Sequence, residues 1–213
     1  MEIYDRDYYE RGLETGKSCY QNYRWVPELT IPMAMAMIDL LGIKRGQTVL
    51  DYGCAFGFLV KALRLLGRKA WGVDISTYAI ENADPSEHCF LKAGNYLHGK
   101  AAFLQSLHSD FCIAKDVFEH IPYSEIVEVF EWINADTMFA IIPLGENDKY
   151  RAPANNLDVT HKICKDETWW TNLLEKNGWE LQDFTFRIEG IKDSYYEKHP
   201  KAHGFFTLEK VKC

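Results

Sequence analysis

Val49-Leu50-Asp51-Tyr52-Gly53-Cys54-Ala55-Phe56-Gly57 is an apolar strand that ends in an acid and runs through a loop of small residues toward a helix. Gly53 and Gly57 let the backbone turn tightly and approach a ligand with no β-carbon in the way, and Ala55 nearly does. A dinucleotide fingerprint, G-x-G-x-x-G, fails on spacing: with Gly53 first, its third glycine falls on Phe58, whose ring would block helix-strand packing. Charge argues the same way, because Asp51 at the strand end repels a pyrophosphate and attracts a cation. The turn suits a positively charged nucleoside.

Outward from this turn, short apolar strands alternate with helices, the pattern of a parallel sheet covered on both faces. Strands are expected at Thr48 to Tyr52, Lys69 to Asp74, Cys89 to Lys92, Phe111 to Ala114 and Thr137 to Pro143, with helices at Phe58 to Leu66 and Glu125 to Trp132. A helix from Glu167 to Lys176, ended by Asn177-Gly178, leads into Trp179 to Arg187 and Gly204 to Val211. Those two stretches alternate apolar and polar residues and read as an antiparallel closing hairpin around a Tyr/Lys/His-rich insertion. Upstream, Pro27 to Gly42 reads as a helix, and residues 1–26 as a tyrosine-rich arm without a clean period. The expected fold is α/β: a Rossmann-like, seven-stranded, mostly parallel sheet with helices on both faces. Residues 1–46 are read as arm and helix on the lid side, and 47–213 as the binding domain.

The second acid is Asp74, in Trp71-Gly72-Val73-Asp74-Ile75-Ser76, which closes the second strand 74 − 51 = 23 residues after Asp51. A parallel sheet places it beside the glycine loop, where a carboxylate accepts both hydroxyls of a ribose.

Composition bounds the partners. Of 213 residues, 31 are acidic and 24 basic, a net charge of −7 that disfavours a nucleic-acid backbone. The apolar stretch Ile31 to Ile43 is broken by Asp39 and Gly42 and falls short of the ~20 residues of a membrane span. The first ten residues carry no apolar signal core, and the six cysteines form no C-x-x-C pair, so a cytoplasmic protein with free thiols is expected.

With the D-x-G-C-x-x-G loop at Asp51 to Gly57, the G-V-D-I at Gly72 to Ile75 and Ala114-Lys115-Asp116-Val117-Phe118-Glu119-His120-Ile121 after the fourth strand, the chain resembles the class I S-adenosylmethionine-dependent methyltransferases. The resemblance spans about residues 47–143, and Ala55 departs from it where many members carry glycine. It implies S-adenosylmethionine as methyl donor and S-adenosylhomocysteine as product. The backbone of Gly53, Cys54, Ala55 and Gly57 would face the methionine part, with Asp51 on its ammonium directly or through water. Asp74 would hold the ribose, Ile75 pack on adenine and Asn95 meet the adenine amino group, with Lys115 and Asp116 also on the cofactor side. Arg24 of the arm is a candidate partner for the cofactor's carboxylate.

Methyl transfer from a sulfonium needs alignment, desolvation and, for a hydroxyl or ammonium acceptor, removal of a proton. His120, just after the fourth strand, and His161, in Asp158-Val159-Thr160-His161, are the candidate bases. A metal held by Asp116, Glu119 and His120 is disfavoured, because three ligands so close in sequence seldom converge, and no metal is expected. There is no N/D-P-P-Y/W or Pro-Cys motif after the fourth strand, so base methylation is not indicated. The expected acceptor is a small polar or sugar-like metabolite. A silent nucleoside-binding scaffold and a protein or peptide methyltransferase are the alternatives.

Overall fold

The computed structural model describes residues 3–94 and 108–211, so Asn95 lies outside the described residues. The arm winds into two short helices, α1 (Arg6–Glu10) and α2 (Gly12–Thr15). Helix α3 (Pro27–Leu41) begins on Pro27, whose missing N–H costs nothing at a first turn, and ends on Gly42, at φ 64°, whose N–H reaches the Ile38 carbonyl. Then follow β1 (Thr48–Tyr52), α4 (Phe58–Leu65), β2 (Lys69–Asp74), α5 (Thr77–Glu81), β3 (Leu91–Ala93), β4 (Ser109–Lys115), α6 (Tyr123–Trp132) and β5 (Ala135–Pro143). A small hairpin, β6 (Gly145–Glu146) and β7 (Lys149–Tyr150), precedes α7 (Glu167–Lys176), β8 (Trp179–Thr185), α8 (Asp193–Lys198) and β9 (His203–Lys210).

The seven-stranded sheet has the order β3-β2-β1-β4-β5-β9-β8. The first five strands are parallel; β9 runs antiparallel to β5, and β8 to β9. This is the expected Rossmann-like sheet with its antiparallel pair. One strand is corrected: Cys89 and Phe90 belong to a 3-10 turn (His88–Phe90), and only Leu91–Ala93 joins the ladder. Phe90 donates its N–H to Glu87 and packs its ring under the Arg64 guanidinium, which keeps it out of the strand.

Register brings the functional ends together. Tyr52 pairs with Val73 and Ala114, so β1, β2 and β4 finish on one edge of the sheet. The order reverses between β1 and β4, and the crevice at such a reversal is where open α/β sheets bind ligands. Because β9 is antiparallel, it starts at this same edge, with His203 opposite Pro143.

Apolar side chains cover both faces. Phe118, Phe130, Trp170 and Trp179 pack with β4 and β5 on one side, and Met37, Ile43, Leu63 and Phe139 on the other. Each such side chain, removed from water, contributes about 1.5–3 kcal/mol before ordering entropy is counted. Tyr8 and Tyr9 of the arm make a third cluster with Phe56 and Ala79. The five cysteines among the described residues are free thiols, and no helix among those residues is long and apolar enough to cross a membrane.

Candidate active site

The loop after β1 sits where its small residues allow. Gly53 has φ 80° and donates its N–H to Val73 at 2.8 Å, and a β-carbon there would come within 2.2 Å of Val117 Cγ2. Gly57 has φ 71°, and a β-carbon there would meet Leu91 at 2.7 Å. Ala55, at φ 48°, accepts a left-handed conformation that costs an alanine about 1–2 kcal/mol. Its N–H donates to Asp74 Oδ2 at 2.7 Å, which holds it there. Asp74 Oδ1 accepts from Ser76 N–H at 2.8 Å. A carboxylate offers about four lone-pair directions, and Asp74 uses one on each oxygen to order the loop.

Over the edge formed by β1, β2 and β4 lies a cavity of about 190 Å³. Its floor includes Gly53, Ala55, Asp74, Ile75 and Lys115, and Tyr4, Tyr8, Tyr9, Tyr20 and Tyr23 of the arm line it from the other side. Three contacts tie the arm down. Ser76 Oγ donates to the Tyr4 carbonyl at 2.6 Å, Tyr78 Oη to Glu10 Oε1 at 2.5 Å, and Tyr8 Oη to Asp158 Oδ2 at 2.9 Å. Five tyrosine rings around a cavity with aspartates in its base suit a cationic ligand, since ring faces and carboxylates both attract positive charge.

Asp51 is buried beneath this wall and is not among the lining residues. Burial raises its carboxyl to about 7; Lys115 opposes the rise and Asp74 adds to it. Desolvation alone would lower the Lys115 ammonium, but Asp116 at 2.7 Å holds it above its usual value. Asp116, at φ 54°, is gripped from a second side by Lys192 Nζ at 2.8 Å, and these cations hold its carboxyl well below the ordinary range despite burial. His203 Nε2 meets Lys192 Nζ at 3.0 Å, and burial together with that lysine pushes the imidazole down to about 3. At pH 7 His203 is therefore neutral.

Past Val117 the chain makes a 3-10 turn (Phe118–His120) that buries Glu119 completely and turns His120 to the cavity wall. His161 stands behind it, the two rings 4.5 Å apart. His120 Nδ1 lies 2.7 Å from Thr160 Oγ1, and Thr160 in turn donates to Asp158 Oδ1 at 2.5 Å. Burial, and after it His161, push His120 down to about 4. Glu119, His120 and His161 offer ligand atoms that all lie within 4.8 Å of one another.

The structure thus gathers Gly53, Ala55, Asp74, Ile75, Lys115, Asp116 and His120 on one cavity. Cys54 is buried under the loop against Gly72, and Gly57 lies outside the lining. Arg24 is exposed and away from the cavity, because Trp25 next to it packs on Phe58 and turns the chain outward. The grouping of Asp116, Glu119 and His120, disfavoured on sequence, does not form among the described residues. Lys115 and Lys192 draw Asp116 aside, and His161 takes its place. Lys192 and His203 were not legible as site residues, since they reach this edge only because β9 returns antiparallel through a region that reads as an insertion.

Residues 32–183 match a family model described as a methyltransferase domain. Over 53 residues the chain is 40% identical to a ubiquinone biosynthesis O-methyltransferase of Paraburkholderia xenovorans (strain LB400), a match covering 25% of this chain and 23% of that protein. The fold resembles a SAM-dependent methyltransferase from Archaeoglobus fulgidus, with a TM-score of 0.59 and 15% identity over 86% of this chain and 97% of that one. It also resembles magnesium protoporphyrin IX methyltransferase from Synechocystis PCC 6803 with bound SAM, with a TM-score of 0.56 and 17% identity over 85% of this chain and 78% of that one.

Proposed function

The chain belongs to the methyltransferase-domain family, and we propose on that premise that it moves the sulfonium methyl of S-adenosylmethionine to an oxygen or nitrogen of a small polar or sugar-like metabolite. The observation that carries this reading is Asp74, at the end of β2, accepting from the loop N–H of Ala55 while facing the tyrosine-lined cavity. Asp74 would hold the ribose and Ile75 pack on the adenine. The loop backbone from Gly53 would run along the methionine part, and the ionised form of Asp51 would favour its ammonium. Lys115, rather than Arg24, is the cavity cation available to the cofactor's carboxylate.

His120 marks the acceptor end, with Ile121, Pro122 and Glu125 beside it on the cavity wall. Transfer there is an in-line displacement: the acceptor's lone pair forms the new bond to the methyl carbon, the carbon-sulfur bond breaks, the sulfur leaves as the uncharged thioether of S-adenosylhomocysteine, and the proton lost by an O–H or N–H acceptor passes to a base at the His120 wall or to water. Pre-alignment in a site closed by the arm supplies most of the advantage. A small acceptor is supported by the cavity's size and by the net charge of −7, which gives a polyanion no purchase. Free cysteines fit a reducing compartment such as the cytoplasm.

The test is incubation of the purified chain with S-adenosylmethionine and a fractionated metabolite pool, read by mass spectrometry. A small molecule heavier by one methyl, formed with stoichiometric S-adenosylhomocysteine, is the expected result. Methylation confined to the protein fraction would replace the acceptor class, and S-adenosylhomocysteine binding with no product in any fraction would make the chain a silent scaffold.

A further inference from the structure

Behind the His120 wall, the hydrogen bonds fix where each imidazole keeps its proton. Thr160 gives its one hydroxyl proton to Asp158 Oδ1, so toward His120 Nδ1 its oxygen can only accept, and Nδ1 carries the hydrogen. His161 Nδ1 lies 2.8 Å from the Asn155 carbonyl, which also can only accept, so that ring too is protonated on Nδ1. Both Nε2 lone pairs are left free, and both face the same atom: Glu119 Oε1 lies 3.7 Å from His120 Nε2 and 3.9 Å from His161 Nε2. Glu119 is wholly buried, and neither of its oxygens has a hydrogen-bond partner among the described residues.

Three ligand atoms from separate residues converge with no hydrogen bond between them, and burial pushes the Glu119 carboxyl well above its ordinary value. Leaving a buried carboxylate in that state is costly, and the spacing is too long for a hydrogen bond to repair it. We propose that Glu119, His120 and His161 form a binding site for one divalent first-row transition metal. Two imidazoles and a carboxylate are the donor set of such ions, zinc foremost, and are ill matched to magnesium or calcium, which take oxygen. Bonds of about 2.1 Å set ligand atoms about 3.4 Å apart in a tetrahedron, so the two carboxylate–imidazole separations of 3.7 and 3.9 Å need contract only modestly, while the two imidazoles close from within 4.8 Å. Thr160 and the Asn155 carbonyl are the outer partners that fix a ligating histidine's tautomer, and Asp158 anchors Thr160. Three protein ligands leave a position open.

One consequence rests on the transfer reading: an ion here would lower the pKa of an acceptor hydroxyl at the His120 wall, and the two histidines would then serve as ligands instead of bases. The site itself does not depend on that reading, so its test is binding. The full chain, stripped with chelator and dialysed against zinc, cobalt, manganese or magnesium, is assayed for bound metal, for the visible spectrum of bound cobalt and for thermal stability. We expect one zinc or cobalt per chain, a cobalt spectrum of low coordination number, a raised melting temperature and weak binding of magnesium. Glu119→Gln should lose zinc affinity by more than the roughly 100-fold reached when only an outer partner is removed. The same change should abolish the zinc-dependent rise in melting temperature. A purely structural Glu119 would leave zinc affinity and that rise as in wild type. Should that variant misfold, His161→Ala, which removes a second ligand from a different segment, reads the same loss. Substoichiometric zinc and cobalt with an unmoved melting temperature would overturn the site. S-adenosylhomocysteine titrated into the same wild-type protein reports on the transfer reading separately.

Discussion

Asp51 and Asp74 stand one strand apart on the same sheet edge and do different work. Asp74 lines the cavity with both oxygens already accepting from loop amides. Asp51 lies beneath the cavity wall, and under the proposed function it would act by its charge, which titrates where it can be measured. Its folded value of about 7 lies above the ordinary 3.8, so between those limits the folded chain holds a proton that the unfolded chain has released. Stability from this group therefore falls as pH rises from about 4 to about 7 and levels off above. Cofactor binding runs the other way, because a cofactor ammonium favours the ionised carboxyl. S-adenosylhomocysteine affinity should rise from pH 5.5 to 7.5 by at most about tenfold per unit, with a proton released on binding. Calorimetry in buffers of different ionisation heat reads both, and Asp51→Asn should flatten the profile. A flat wild-type profile would remove Asp51 from the binding account.

At the scale of elements, the arm is a separable roof. It meets the rest through Tyr8 and Tyr9 on Phe56 and Ala79, and through Ser76 and Asp158. The two large core clusters of the sheet faces contain none of its residues before Trp25. Removing residues 1–26 should leave a cooperative thermal transition and weaken S-adenosylhomocysteine binding by tenfold or more; equal affinity would show that the tyrosines are packing alone. Tyr8→Phe is the finer test. It leaves Asp158 Oδ2 without its donor, a loss of about 1–3 kcal/mol in stability for a buried acceptor. The sequence could not show how α1 and α2 form, since helices of five and four residues display too little period to read. The same shortness hid α5 and α8, whereas α7, ten residues long with Asp166 capping Trp169 N–H, was legible at both ends.

The whole molecule shows what kind of signal a sequence carries. Strand order and the placement of Asp74 beside the glycine loop follow from alternating β and α segments, because right-handed crossovers leave few ways to lay them out. The fold was legible for that reason, and with it the half of the cavity wall around the glycine loop and Asp74. The other half was not. Glu119 and His120 meet His161 across a long irregular segment after β5, and Lys192 meets Asp116 by way of the antiparallel return of β9. Such meetings depend on loop paths that no periodicity records. The central claim, that this cavity binds the methyl donor through the β2 acid, is tested most directly by titrating S-adenosylhomocysteine into the wild-type chain and into Asp74→Ala in a calorimeter, with NADH as control. Wild type should bind one equivalent, the variant should lose roughly 1.5–3 kcal/mol while remaining folded, and NADH should give no heat. Binding of NADH with none of S-adenosylhomocysteine, or an Asp74→Ala variant that binds as tightly as wild type, would contradict the account.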